Sequence, residues 1–168
     1  LIPGPVNPPP LIRPAEPQDV PALLGLIREL AAYERLTAEV EATEDGLRES
    51  LFGPARCAEA LLAWTDRAPE PVGIAVFFRN FSTFLARPGL WLEDLYVRPE
   101  HRGRGLGKAL LLAVARIAEE RGCGRFEWTV LDWNTPSIAF YERMGAEMKA
   151  DWRIMRVSGP ALRRLGRP

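Results

Sequence analysis

Residues 91–111 read "WLEDLYVRPEHRGRGLGKALL", and this stretch limits the fold more than any other. An apolar β-type run ends at Pro99, a turn of three glycines and three basic side chains follows, and a helical pattern begins at once. A strand feeding a helix through so short a turn requires the helix to cross back over a sheet. The next β-rich run, "RFEWTVLDW", starts at Arg125, so the two strands are expected to pair in parallel. Before residue 91 the runs "CAEALLAWT" and "EPVGIAVFFRNFS" follow one another without an intervening helix, which argues antiparallel pairing. The expected order is β α α β β β α β α β β. That is a mixed α/β sheet of about six to seven strands, mostly antiparallel, with one central parallel pair and about four flanking helices.

Helical spacing of Val20, Leu23, Leu24, Ile27, Leu30 and Ala31 predicts a first helix after an N-cap at Asp19, ending near Tyr33 or Glu34. A second follows Thr43, a third starts at Gly105, and a fourth follows Asn134 and ends at Gly145. "AEMKADWRIMRVSG" reads as a terminal hairpin. "LIPGPVNPPP", half proline, cannot form a helix or a central strand. Residues 1–10 are therefore expected as an extended arm, and 11–168 as a single domain.

The 22 basic and 22 acidic side chains cancel, which argues against a uniformly basic nucleic-acid binder. Two distant cysteines, Cys57 and Cys123, and a single histidine, His101, do not supply the usual zinc sets; no metal is expected, and the cysteines are read as reduced. No run of about 18 apolar residues exists, and no charged n-region leads into an apolar h-region. No membrane association is expected, and the cytoplasm is the expected compartment.

The turn is the first functional candidate. A helix N-terminus presents unpaired N–H groups and the positive end of the helix dipole. Glycines let an anion approach that backbone, and Arg102, Arg104 and Lys108 add charge. A Walker loop would need glycine at 102 and a hydroxyl residue at 109, where Arg102 and Ala109 stand. The dinucleotide pattern fails from Gly103 at Lys108 and from Gly105 at Leu110. The second candidate is the carboxylate pair in "WLEDLYV". Strict alternation puts Glu93 on one face with Trp91, Leu95 and Val97, and Asp94 on the other with Leu92 and Tyr96. Carboxylates in so apolar a strand need partners or a cleft, and Glu93 is read as a group that handles protons or attracts a cation. The third is Tyr141, at helical spacing from Ser137 and next to Phe140, whose phenol is suited by its ordinary pKa to protonate a leaving thiolate.

Taken in order, "LEDLYVRPEH", "RGRGLG" and "VLDWNTPSIAFYERMGA" resemble the GCN5-related N-acetyltransferases; Arg102, Gly105 and Gly107 fall on that superfamily's [RQ]-x-x-G-x-[GA] pattern. Within it, "LIRELAAYERL", "LEDLYV" and "VLDWN" are similar to the spermidine/spermine and thialysine acetyltransferases, over about residues 11–157. The resemblance implies that acetyl-CoA is the donor and a small amine the acceptor. It implies that main-chain groups of Leu95, Tyr96 and Val97 hold the pantetheine arm and thioester. Arg102, Gly103, Arg104, Gly105, Leu106, Gly107 and Lys108 would bind the pyrophosphate. Asn134, Pro136 and Ser137 would lie along the cofactor, and Tyr141 would be the general acid. Tyr33, Glu34, Glu93 and Asp94 would lie on the acceptor side, with Glu127, Trp128 and Thr129 nearby. It also implies a homodimer. Where the polyamine enzymes carry a tryptophan near the acceptor, this chain has Leu85, flanked by Phe81 and Phe84. The acceptor stays open between polyamine, thialysine, aminoglycoside and protein amino groups, as does a non-catalytic acyl-CoA-binding module.

Overall fold

The computed structural model describes residues 10–66 and 68–167; most of the proline-rich arm lies outside them. Two compact units divide the chain, one running to Thr129 and the other starting at Val130. The first holds five strands: β1 (Leu11–Pro14), β2 (Glu59–Trp64), β3 (Gly73–Ser82), β4 (Arg87–Val97) and β5 (Arg125–Trp128). They lie in sequence order in one sheet. Each neighbouring pair is antiparallel except β4 and β5, which are parallel. Three helices accompany them: α1 (Val20–Tyr33), α2 (Glu44–Phe52) and α3 (Leu106–Glu120). The crossover α3 leaves β4 and returns to β5, the parallel connection that the glycine turn demanded.

The apolar stripes assign the helices to faces. Leu23, Leu26 and Leu30 of α1 and Leu51 of α2 bury against Ala60, Leu62, Ile74 and Tyr96 on one face of the sheet. On the other face α3 buries Leu106, Leu110, Leu111, Val114 and Ala118. There Leu110 and Val97 pack so close to Gly73 that a Cβ at 73 would sit 3.2 Å from each. The Thr43 hydroxyl caps α2 by accepting the Gly46 N–H at 3.1 Å. Asp19 does not cap α1. Its carboxylate accepts two bonds from Arg13, at 2.7 and 3.0 Å, and one from the Glu16 N–H at 2.8 Å. The Arg13 hydrogen bonds hold its pKa below the ordinary aspartate value.

The second unit contains α4 (Thr135–Arg143) and α5 (Gly159–Leu165). The terminal hairpin is not formed: residues 146–157 carry no strand, and α5 follows instead. The sheet accordingly has five strands among the described residues, not six or seven. A hairpin needs a second layer on which to bury one face. Here Met148, Trp152, Ile154, Met155 and Val157 are all exposed, so no face of the segment is covered. Cys57 and Cys123 are both free thiols. Among the described residues no helix is long and apolar enough to cross a membrane.

Candidate active site

β4 and the start of α3 frame the site. The end of β4 is lashed to α1: Arg98 donates to the Glu29 carboxylate at 2.9–3.2 Å, and the Tyr96 hydroxyl donates to it at 3.4 Å. After a short 3-10 turn at Pro99–His101 the backbone takes positive φ at Gly103 (73°) and Gly105 (82°), a region costly to side chains with a Cβ. Nothing stands within 4 Å of where a Cβ would be at either. The Arg102 N–H bonds the Pro99 carbonyl at 3.1 Å and the Ala109 N–H bonds Gly105 at 2.9 Å. Between them, among the described residues, no backbone N–H from 103 to 108 reaches a carbonyl. Six donors thus have no backbone partner at a helix N-terminus, with the exposed Arg104 and Lys108 beside them. Leu106, 4% exposed, anchors the first turn of α3 and keeps this surface in place.

Arg102 has a different setting from its basic neighbours. Its Nε donates to the Val97 carbonyl at 2.8 Å. Its guanidinium lies over the rings of Tyr33, at 4.7 Å, and Tyr96, at 5.6 Å. The side chain is tied back against β4 and α1, where it joins the turn to the strand.

The two carboxylates of β4 depart from the expected alternation. Val76 pairs with Asp94 but the next residue, Phe77, pairs with Leu92, so Glu93 is the extra residue of a β-bulge. Cross-strand partners share a face. Asp94 therefore lies with Val76 and Tyr96 on the α1/α2 face, as expected for Tyr96, while Leu92 is switched to the α3 face. Glu93 also turns toward the α1/α2 side, because its Oε2 accepts the Trp91 Nε1–H at 3.0 Å and Trp91 pairs with Phe78 of that face. Glu93 and Asp94, expected on opposite faces, are neighbours. Burial, then the Glu93 charge, then the Glu34 charge push Asp94 up to about 6. Burial also raises Glu34, at the C-terminal end of α1. The site thus holds three carboxylates, Glu34, Glu93 and Asp94, whose charges oppose one another.

The pairing of β4 with β5 stops at Leu92 and Trp128, although β4 continues to Val97. From Glu93 onward the β5-side edge of β4 has no strand partner among the described residues, leaving main-chain groups of Leu95 and Tyr96 available at the same place as the carboxylates. Across that opening, Glu127 is paired with Arg125 at 2.8 Å and accepts from Asn80 at 3.3 Å. Trp128 packs edge-on to Phe126, ring centroids 5.0 Å apart, on the opposite face of β5, and Thr129 is exposed just beyond the strand. Leu85 lies at the tip of the β3–β4 hairpin against Gly124, and Phe84 there is 96% exposed.

The first unit therefore brings together Tyr33, Glu34, Glu93, Asp94, Leu95, Tyr96, Val97, residues 102–108 and Glu127. Trp128, on the other face of β5, and Thr129, at the end of the first unit, stand apart from them, and Asn134, Pro136, Ser137 and Tyr141 lie in the second unit. Asn134 is buried, yet its side chain makes no capping bond to α4; its carbonyl accepts the Ser137 and Ile138 N–H groups instead, each at 3.1 Å. Pro136 and Ser137 occupy the first turn of α4, and Tyr141 packs its ring 5.2 Å from Phe140. Sequence reasoning missed Asn80 and Arg125. The period-two spacing of Arg125 and Glu127 signals that they share a face, but not which face.

The Acetyltransferase (GNAT) family matches residues 24–146. The chain is 35% identical to the L-ornithine N5-acetyltransferase of Arabidopsis thaliana over 90% of its own length and 85% of the relative's. It is 37% identical to the thialysine N-epsilon-acetyltransferase of Bos taurus over 92% and 96% of the two chains. In fold it is similar to an integron cassette protein from the mobile metagenome of V. cholerae, with a TM-score of 0.78, 24% identity, and 95% and 98% of the two chains covered. The chain belongs to the GNAT acetyltransferase family and is an N-acetyltransferase.

Proposed function

We propose that this family member transfers the acetyl group of acetyl-CoA to a primary amine of a small cationic acceptor. The observation that carries the reading is the bulge: it sets Glu93 and Asp94 together at an open strand edge that runs directly into the glycine turn. The turn fits a diphosphate, because it offers N–H groups without backbone partners beside Gly103 and Gly105, where nothing stands within 4 Å of a Cβ position. When bound, coenzyme A supplies the acetyl group as a thioester. The N–H groups of residues 103–108, with Arg104 and Lys108, hold the diphosphate, while Arg102 fixes the turn to Val97. Main-chain groups of Leu95, Tyr96 and Val97, at the unpaired edge of β4, would hold the pantetheine arm and offer a main-chain donor to the thioester carbonyl. Glu34, Glu93 and Asp94 draw in the cationic amine, Tyr33 lies on the acceptor side, and Glu93 accepts the ammonium proton, directly or through water, so that the nitrogen attacks as a free base. Asn134, Pro136 and Ser137 would lie along the cofactor, and Tyr141 would supply the proton that the leaving thiolate takes up.

The relatives' acceptors, ornithine and thialysine, are flexible chains that end in an amine, and the acidic face of β4 suits that class. Thr129, just beyond β5, borders the acceptor, whereas Trp128, expected on the acceptor side, is turned to the opposite face of β5 against Phe126. Exposed apolar side chains at 152–157 support a homodimer, testable by light scattering. The deciding experiment is thiol release from acetyl-CoA with a panel of amines: spermidine, thialysine, lysine, ornithine and N-terminal peptides. Turnover with one or more small amines is expected. Tight acetyl-CoA binding without turnover on any of them would point instead to an acyl-CoA-binding module.

A further inference from the structure

Away from the glycine turn, the C-terminal end of α3 meets the sheet at an open cleft. β2 begins at Glu59, opposite Phe77, so among the described residues β3 has no β2 partner from Phe78 onward. The chain leaving α2 passes this open edge, held by the Cys57 N–H, which donates to the Ser50 carbonyl at 2.9 Å. The cleft has a volume of about 450 Å³, and its lining includes Arg56, Cys57, Glu59, Phe78, Arg79 and Arg121.

Three guanidinium groups thus stand around one carboxylate. Glu59 is committed to Arg121, whose two terminal nitrogens donate to it at 2.5 and 2.7 Å. Those bonds, and then the charges of Arg121, Arg56 and Arg79, hold the Glu59 carboxyl below its ordinary value against the opposing effect of burial. Among the described residues the guanidinium groups of Arg56 and Arg79 have no hydrogen bond or ion pair. Two positive charges are therefore left over at one opening, and the carboxylate beside them is already neutralised and repels an incoming anion little. Guanidinium groups match phosphate and carboxylate oxygens in a bidentate fork, and the Phe78 ring adds an apolar wall. The glycine turn is remote from this cleft. Gly105 precedes α3 and Arg121 follows it, and the 15 residues between them make a helix about 22 Å long.

We infer that this cleft binds a small dianion, a phosphate monoester or a dicarboxylate, between Arg56 and Arg79, at a site separate from those of the acetyl donor and the amine. A monoanion would leave one of the two charges unmet.

Cys57 is an exposed free thiol in the cleft, so its alkylation by neutral iodoacetamide reports occupancy, with Cys123 as the internal reference. Mass spectrometry of the two cysteine peptides gives both rates in protein saturated with acetyl-CoA, with inorganic phosphate and succinate as the probes. One or both are expected to slow Cys57 saturably and leave Cys123 unchanged, and the one that protects better tells a phosphate ligand from a dicarboxylate. Arg56→Gln and Arg79→Gln should each raise the half-protecting concentration about 10-fold. Protection no greater than that given by sodium chloride at equal ionic strength overturns the inference, as does protection unchanged in both variants. Protection that appears only when acetyl-CoA is left out also overturns it, because the anion would then occupy the donor site.

Discussion

Replacing Asp94 by asparagine removes one of three mutually repelling carboxylates without changing the side chain's shape. Burial and the charges of Glu93 and Glu34 raise its pKa from the ordinary 3.8 to about 6. That gap corresponds to about 3 kcal/mol of stability withheld from the folded state when the carboxyl is ionised. The sign follows from proton counting. Between about pH 4 and 6 the folded protein holds a proton on Asp94 that the unfolded chain has released, so stability falls as pH rises through this window. Above it the full penalty applies. Asp94→Asn is therefore expected to be more stable than the wild type by up to about 3 kcal/mol at pH 8, with the advantage shrinking below pH 6 and gone below about pH 4. Urea unfolding followed by tryptophan fluorescence across pH 4–8 measures it. The same variant should lose kcat/KM for amines, since an acceptor cation is what relieves the repulsion; stability given up for function is usual at such sites. A stability difference that is constant with pH, or a variant less stable than the wild type at pH 8, refutes the reasoning, because it would mean that Asp94 is compensated within the fold.

Gly105→Ala places a Cβ on a residue at φ 82°. It should cost about 1–2 kcal/mol from backbone strain, and it should weaken acetyl-CoA binding by calorimetry more than it lowers the unfolding midpoint; unchanged affinity would place the diphosphate elsewhere. Tyr141→Phe should reduce kcat by about 10²–10⁴-fold while leaving acetyl-CoA affinity near the wild-type value. Unchanged turnover would make Tyr141 only a packing partner of Phe140.

The strand–turn–helix at 91–111 was legible because glycines, charge and apolar spacing coincide there, and the same stretch implied the parallel pair. Alternation failed at Glu93, since one extra residue in a strand leaves no mark in its own composition; only the register with Val76 and Phe77 shows it. Arg102 was read by its charge, whereas its packing between Val97, Tyr33 and Tyr96 depends on residues as many as 69 positions away. The pattern at 146–157 looked like a hairpin because alternation marks a strand that has something to bury against, and this segment's apolar side chains stay exposed. Arg125 and Asn80 were invisible for a related reason: their meeting requires Gly89, three strands' register and an absent Cβ.

The account turns on the N–H groups without backbone partners at the mouth of α3. A titration of 15N-labelled protein with acetyl-CoA, followed amide by amide, tests them directly. The largest shifts are expected at Gly103, Arg104, Gly105, Gly107 and Lys108, together with Leu95–Val97. Saturable binding that leaves those amides unmoved and shifts others would contradict it.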